Sequence, residues 1–305
     1  MTELLPVGFY DLIFDEAEKN HQNINFTLDM FLARGYRLIK APLVEFERNF
    51  SRQDLQNSFF VSDIISGNNL VFRNDITLQI ARMLKTRLEY QERPLKICYA
   101  GDVLQAKNNE LYPNRQQTQV GLEIIGCDEE KSIFEIVDNL LLVLEKLLSK
   151  KTLIEFSLPD FLEIFLNEIN ANNPLELKAA IIKKDVSLIR KLDKKNSEII
   201  SQIILTNNDF DFLEKMIFDF LSSGEVRQEL TLLRKIKNYF AAKDLKNITL
   251  AFDLFGDQKS TYHNKISFDV FCDNFPYPIA RGGKYKIGKL DSVGATIYMN
   301  NILRI

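Results

Sequence analysis

A stretch near position 120 combines residue types and a spacing that suit the binding of a small polar ligand. Residues 117–125 alternate between polar and apolar types, which is typical of a β-strand. In such a strand Gln117, Gln119, Gly121 and Glu123 share one face, and the intervening residues share the other. Buried Gln and Glu side chains cost free energy unless they are hydrogen-bonded, and a small zwitterion could supply those bonds. A solvated sheet face is the alternative interpretation.

Two neighbouring segments must position these polar residues. Residues 95–104 form an apolar run rich in β-type residues, so this run and 117–125 predict an antiparallel hairpin around the loop 105–115. Upstream, apolar residues at helical spacing follow Asp75 and Thr77, so these two polar residues mark the capped start of a predicted helix.

The N-terminal part of the chain reads as a helix followed by a strand. The pattern predicts a helix from Asp15 to about Arg34, and Gly35 is suited to end it. A short strand at 36–39 then leads to Pro42, a residue that suits a strand end or a sheet edge.

The rest of the chain divides by its periodicity. Short strands at 59–61 and 70–72 predict a hairpin, and an amphipathic helix is predicted over 131–150. Helical periodicity with many Lys, Asn and Leu residues then continues, and strand patterns return near 247. The predicted domains are a core domain formed by 1–156 and 247–305 and a helical insertion subdomain formed by 157–246.

Composition narrows the classes of protein to which the chain can belong. The 305 residues are 46% hydrophobic and 27% charged, with a net charge of −3, which argues against a nucleic-acid-binding surface. Cys98, Cys127 and Cys272 lack metal-ligand spacing, so free thiols in a reducing compartment are expected, with neither a metal site nor a disulfide. No signal pattern or membrane-length apolar run is present, so we expect a cytoplasmic protein with no membrane partner.

Several motifs resemble those of the class II aminoacyl-tRNA synthetases. The segments R-N-D-I-T (73–77), Y-A-G-D-V (99–103) and Q-V-G-L-E-I-I-G (119–126) resemble motif 2, in the form found in histidyl-tRNA synthetase and its paralogue, the regulatory subunit of ATP phosphoribosyltransferase. The N-terminal helix, strand and proline resemble motif 1, where the family places its dimer interface. Residues 280–285 resemble the A-R-G-G-R-Y-D element, and 292–304 resemble motif 3. The resemblance implies an α+β fold with an antiparallel sheet flanked by helices, and a homodimer.

The resemblance also implies a histidine-binding site. Asp75 and Thr77 match residues that hold the α-amino group, where a carboxylate suits an ammonium. Glu123 matches a residue that accepts the imidazole N–H, and Tyr262 matches a tyrosine that packs at the ring. Arg115 lies in the motif 2 loop, where it could face a carboxylate or phosphate, or could simply be exposed to solvent. The residues expected to bind histidine are Asp75, Thr77, Arg115, Gln119, Glu123, Tyr262 and His263.

Departures from the family concern the cations that hold ATP. A synthetase needs fixed positive charges for the triphosphate, and arginine supplies them. At the three matching positions this chain has Gln105, Gln258 and Asn301, while Arg304 is displaced by three residues. Asn264-Lys265 also departs from the usual Thr-Gly. No anticodon-binding domain is expected after Ile305.

The resemblance and its departures together predict a regulatory rather than a catalytic protein. We expect a non-catalytic regulatory subunit of ATP phosphoribosyltransferase, without a cofactor. Its expected partner is the short-form catalytic subunit, within a hetero-oligomer that performs the first step of histidine biosynthesis under feedback by histidine. A divergent, ATP-dependent histidine-activating enzyme is one alternative, which would require Arg304 or Arg115 to replace the missing arginines. A scaffold with an inactive pocket is another.

Overall fold

The computed structural model describes residues 4–52, 54–107, 114–206, 209–243, 247–256 and 263–305. In chain order its elements are α1 (Asp15–Ala33), β1 (Arg37–Ile39), β2 (Val44–Phe46), β3 (Phe60–Ser62), β4 (Asn69–Phe72), α2 (Ile76–Leu84), β5 (Leu95–Leu104), β6 (Gln116–Ile125), α3 (Glu129–Leu147), β7 (Thr152–Ser157), α4 (Phe161–Glu168), α5 (Pro174–Ile182), α6 (Val186–Leu192), α7 (Ser197–Leu205), α8 (Phe210–Phe220), α9 (Gly224–Ala242), β8 (Ile248–Phe252), β9 (His263–Cys272), β10 (Phe275–Ile287), β11 (Leu290–Tyr298) and α10 (Met299–Ile302).

The chain forms two compact units. The first comprises Met1–Asp128, Glu135–Ser149 and Ser292–Ile305, and the second comprises Glu129–Phe134 and Lys150–Asp291. Within the described ranges, no helix is both long and apolar enough to cross a membrane.

The predicted hairpin lies at the centre of the first unit. Strands β5 and β6 are antiparallel, with partners running from Leu95 opposite Ile125 to Leu104 opposite Gln116. Strand β11 pairs antiparallel with the other edge of β6, and β1 pairs with β5 in parallel. The antiparallel arrangement predicted from the sequence is therefore confirmed for these long strands, whereas the short strand β1 is an exception.

Local sequence signals explain where the flanking helices begin and end. Asp75 has extended backbone angles and its side chain accepts a hydrogen bond from the Thr77 backbone N–H, which caps the start of α2 as predicted. Helix α1 ends at Ala33, close to the predicted Arg34. Gly35 follows with a φ of +85°, a left-handed conformation that glycine adopts without steric cost.

Three other predicted elements are also present. Strands β3 and β4 form the expected hairpin, with Phe60 opposite Val71. Helix α3 begins at Glu129, two residues before the predicted start. Strand β11 leads directly into the short helix α10, which is the strand-to-helix order expected near the C-terminus.

The second unit contains helices α4–α9 and a group of four strands in the order β10-β9-β7-β8. Strands β7 and β8 are parallel, and the other pairs are antiparallel. Aromatic residues pack between neighbouring strands and between a helix and a strand: the ring centroid of Phe252 on β8 lies 6.0 Å from that of Phe156 on β7 and 4.6 Å from that of Phe210 on α8. The predicted boundary between a core and an insertion at 157–246 therefore does not coincide with the compact units. The assignment of those domains stays a prediction.

Candidate functional site

Four of the predicted histidine-binding residues lie together in the first unit. Gln119 and Glu123 are on the same face of β6, since both have odd numbers in one regular strand. Asp75 and Thr77 approach them from the start of α2. Gln119 is 1% exposed and Glu123 is 2% exposed. The alternative of a solvated sheet face is therefore wrong for these two residues.

Asp75 and Gln119 are joined by hydrogen bonds that also fix the start of α2. One carboxylate oxygen of Asp75 accepts from the Thr77 backbone N–H at 2.7 Å, and the other accepts from the Gln119 side-chain amide at 3.2 Å. The amide oxygen of Gln119 in turn accepts from the backbone N–H of Ile76 at 3.2 Å. The capping carboxylate is thus held facing the strand that carries Glu123.

Glu123 accepts hydrogen bonds from hydroxyl groups on α2 and β5. Its Oε1 accepts from the Thr77 hydroxyl at 3.0 Å and from the Tyr99 hydroxyl at 3.4 Å. The Tyr99 hydroxyl also lies 2.8 Å from that of Thr296 on β11. Burial, followed by the charges of Glu123 and Asp75, raises the pKa of Tyr99 well above its usual value, so the phenol stays protonated and can donate.

Two glycines provide the space that this network occupies. Gly121 lies directly opposite Tyr99, and a Cβ at position 121 would be 2.4 Å from the Tyr99 hydroxyl. Gly294 lies opposite Glu123, and a Cβ there would be 1.6 Å from Glu123 Oε2. Any larger residue at either position would displace a polar group of the site.

Tyr99 and Thr296 are site residues that the sequence analysis did not select. Tyr99 lies within the Y-A-G-D-V segment and is 1% exposed, while Thr296 is 8% exposed. The available signal was strand alternation, because Tyr99 and Ile97 occupy the same face of β5 as the residues opposite them on β6. We call the set Asp75, Thr77, Tyr99, Gln119, Glu123 and Thr296 the polar network.

Arg115 contacts residues outside the polar network. Its guanidinium lies 4.5 Å from the ring centroid of Phe59 and 5.4 Å from that of Phe9. It also donates to the backbone carbonyl of Gln105 at 3.3 Å. Cation–π attraction between Arg115 and these rings helps to hold the N-terminal segment in place. A direct role in ligand binding stays a prediction.

The remaining two predicted residues belong to the second unit. Tyr262 lies outside the described residues, as does the family position occupied by Gln258. His263 begins β9, where its backbone pairs with Tyr285 of β10, and its side chain is not among those described.

The positions where the family carries ATP-binding arginines have no cation among the described side chains. Gln105 is half-buried beside β5, and Asn301 is buried in α10. Of the nearby arginines, Arg73 donates to the backbone carbonyls of Asp102 at 2.6 Å and Ala41 at 2.9 Å. Arg304 lies 5.3 Å from the ring centroid of Tyr10. These guanidinium groups are thus engaged by the protein itself.

A cleft of about 940 Å³ is present in the first unit, lined by residues that include Tyr10, Asn20, Asp102, Thr118 and Arg304. Asp102 and Thr118 hydrogen-bond each other at 2.6 Å on the face of β5 and β6 opposite the polar network. None of the predicted site residues with described side chains lines it. The cleft is therefore distinct from the polar network.

Comparison with known proteins shows the family to which the chain belongs. A sequence model of histidyl-tRNA synthetase matches residues 8–302. The chain belongs to the histidyl-tRNA synthetase family. Among solved structures, an ATP phosphoribosyltransferase regulatory subunit/histidyl-tRNA synthetase from Bacillus halodurans C is similar with a TM-score of 0.82 and 17% identity, covering 100% of this chain and 83% of that one. The predicted class II synthetase-like fold is therefore confirmed.

Within this family, several curated relatives bear one name. The protein from Paramagnetospirillum magneticum, named ATP phosphoribosyltransferase regulatory subunit, is 29% identical over 98% of this chain and 81% of its own length. The protein of the same name from Caldanaerobacter subterraneus is 27% identical over 92% of this chain and 75% of its own. The ATP phosphoribosyl transferase (HisG:HisZ) complex from Thermotoga maritima contains a chain with a TM-score of 0.71 and 17% identity, at 92% coverage of this chain and 97% of that one.

Proposed function

We propose that this chain is a non-catalytic regulatory subunit of ATP phosphoribosyltransferase that senses histidine for the first step of histidine biosynthesis. The similarity to relatives named as that subunit, over nearly the whole chain, is the observation that carries the proposal. The polar network supplies the chemistry for the effector, and the missing arginines argue against adenylation.

The polar network suits the two polar ends of histidine. Asp75 is a carboxylate beside a helix start and can accept hydrogen bonds from an α-ammonium group, which strengthens such bonds by charge. Glu123 is a buried acceptor whose partners are hydroxyl groups, so an imidazole N–H is a suitable donor in place of one of them. The family resemblance assigns Tyr262 and His263 to the recognition of the ring.

The proposed assembly joins this chain, as a homodimer, to the short-form catalytic subunit in a hetero-oligomer. The homodimer is supported by exposed apolar residues in the segment that resembles motif 1, where Leu38 is 52% exposed and Leu43 is 43% exposed. Histidine bound here would inhibit the catalytic partner through a coupling free energy on the order of 1–3 kcal/mol. The cytoplasm fits the free state of Cys98, Cys127 and Cys272.

The proposal is tested by mixing purified chain with the short-form catalytic subunit and measuring complex formation and phosphoribosyltransferase activity. We expect activity that depends on this chain and falls when histidine is added. A parallel assay measures histidine-dependent ATP–pyrophosphate exchange by this chain alone, for which we expect no signal above the protein-free control. Exchange without complex formation would establish the histidine-activating enzyme instead.

A further inference from the structure

Helix α5 is apolar on two opposite faces. Its buried face carries Leu177, Ala180 and Ile181. The opposite face carries Leu175, Ala179 and Ile182, at the i, i+4 and i+7 spacing of one helix face, and we call these three residues the α5 strip. The strip is open to solvent, since Leu175 is 83% exposed and Ile182 is 45% exposed. A helix that is apolar all round is normally buried, so the α5 strip has the character of a surface that a partner covers.

The segment that follows α5 is basic. Residues 183–195, which we call the basic segment, contain six cations and two acids, whereas the whole chain has a net charge of −3. Both acids are occupied by local hydrogen bonds: Asp185 accepts from the Leu188 backbone N–H at 2.9 Å, and Asp193 accepts from the Asn196 backbone N–H at 3.0 Å. Five of the cations are exposed and form no ion pair within the described ranges, namely Lys183, Arg190, Lys191, Lys194 and Lys195.

The turn between α5 and α6 fixes the basic segment next to the α5 strip. Lys184, the sixth cation, has a φ of +55°, and its Nζ lies 2.6 Å from Asp253 Oδ2, directly after β8. The backbone N–H of Asp185 donates to the carbonyl of Ala180 on α5 at 3.0 Å. Ile189 of α6 is fully buried. The surface is therefore formed before a partner arrives, which reduces the entropy cost of binding.

The chemistry of this surface selects one kind of occupant. An apolar centre beside a group of cations matches a surface whose apolar centre lies beside carboxylates. A second copy of the chain, bound face to face about a two-fold axis, would bring the same cations together, and like charges repel. A nucleic acid would pair with the cations but would gain little from Leu175 and Ile182, since bases stack on aromatic rings. A different protein with an acidic surface is therefore the matching partner.

We propose that the α5 strip and the basic segment form the docking surface for the catalytic subunit, which meets them with a surface that is apolar and acidic. This proposal rests on the proposed function, because it takes the partner from that assembly. It gives residues 174–195 a task that the polar network does not perform. The exposed cations would also steer the partner, so association should slow as the salt concentration rises.

The apolar contribution is tested with the full chain and the purified catalytic subunit, by measuring the Kd of their complex in titration calorimetry. Leu175→Glu/Ile182→Glu places two charges on the α5 strip, and we expect the Kd to rise about 100-fold. Both positions are exposed, so the urea midpoint of the chain alone should not change. Leu205→Glu is the matched control, because Leu205 is 73% exposed and lies on α7, outside the proposed surface. Its Kd should stay within about twofold of wild type.

The electrostatic contribution is tested by Lys191→Glu, with Lys215→Glu as its matched control. Lys215 is an exposed lysine of α8, outside the basic segment. Lys191→Glu should reduce the association rate constant about fivefold at low salt and should make that rate less dependent on salt concentration, as measured by stopped-flow mixing. Lys215→Glu should leave both quantities nearly unchanged.

Normal binding by the test variants, or equal losses in the test variants and their controls, would overturn the proposal. A change in the chain's own sedimentation with Leu175→Glu/Ile182→Glu, in the absence of a partner, would assign the α5 strip to a second copy instead. Binding of a transfer RNA probe that is lost in Lys191→Glu would assign the basic segment to nucleic acid. A wild-type chain that forms no complex would overturn the proposed function together with this surface, whereas a complex unaffected by the variants would overturn the surface alone.

Discussion

The family's site has an amino-acid half, which recognises the amino acid, and a nucleotide half, which binds the triphosphate. This chain carries matching residue types in the first half more than in the second. Four of the positions that match amino-acid recognition, Asp75, Thr77, Gln119 and Glu123, belong to the buried, hydrogen-bonded polar network. The positions that match triphosphate binding carry Gln105, Gln258 and Asn301, which have no charge. Phosphates need fixed cations and an amino acid needs paired acceptors, so the residues of this chain suit amino-acid binding better than they suit triphosphate binding.

Glu123→Ala should have the largest effect on this comparison. It removes the charged acceptor and leaves the hydroxyls of Thr77 and Tyr99 without their shared partner. We expect histidine affinity to fall about 100-fold, or about 3 kcal/mol, as measured by titration calorimetry. Feedback inhibition of the catalytic complex should be lost in parallel, while basal activity remains. Unchanged affinity would show that the network does not bind histidine.

Gly294→Ala should have the next largest effect, because it forces a methyl group to within 1.6 Å of Glu123 Oε2. We expect the free energy of unfolding to fall by about 2 kcal/mol in urea titration, with a matching loss of histidine binding. Gly224→Ala is a suitable control, since nothing lies within 4 Å of the added Cβ and its stability should be nearly unchanged. Equal effects at both glycines would contradict the close contact.

Tyr99→Phe tests how much the Tyr99 hydroxyl contributes to histidine binding. Removing the donor should weaken histidine binding about fivefold, or about 1 kcal/mol, since Thr77 still supports Glu123. Thr296→Val, which removes the other end of the 2.8 Å contact, should have a smaller effect. No change in either variant would place ligand binding outside the network.

The same tyrosine predicts a pH dependence. Burial raises the folded-state pKa of Tyr99 above its usual 10.0, so its contribution to stability is complete below pH 10 and is lost as pH rises beyond that value. The slope is about 1.4 kcal/mol per pH unit for one such group. Urea unfolding of Tyr99→Phe should therefore decline less steeply above pH 10 than wild type. Parallel slopes would indicate that the phenol titrates normally.

Gln105→Arg combined with Asn301→Arg should have the smallest effect, and it addresses the nucleotide half. Two arginines do not restore the third cation or the geometry that holds a triphosphate, since positioning within a fraction of an ångström is required. We expect histidine-dependent ATP–pyrophosphate exchange to stay at background. Exchange in this double variant would mean that only these charges separate the chain from an enzyme.

The main elements were predictable because their signals are local. Alternation over 117–125 and the run 95–104 indicated the hairpin, and the Asp75 cap indicated the start of α2. The burial of both faces of β6 was not predictable from alternation, since that depends on neighbours brought from distant sequence. The contact of Tyr99 with Thr296 joins positions 197 residues apart, which no local pattern reveals.

The domain boundary and the contacts of Arg115 also depend on residues distant in sequence, which local patterns do not reveal. The periodicity of 157–246 is helical, as predicted, but it does not reveal that Phe210 packs on Phe252 of a strand in the same unit. Arg115 has the residue type of a ligand contact, yet it lies near Phe9 and Phe59. The residue type identified candidate site residues, whereas the residues that surround each candidate in the fold determine its contacts.

The internal hydrogen bonds of the polar network set the kind of affinity that the site can reach. Asp75 already holds the Gln119 amide, and Glu123 already holds two hydroxyls. An arriving amino acid would have to exchange bonds rather than add them, so its binding free energy would be a small difference between two satisfied states. Under the proposed function, such a site would release histidine readily, and its occupancy would follow rises and falls in histidine concentration instead of saturating at the lowest level.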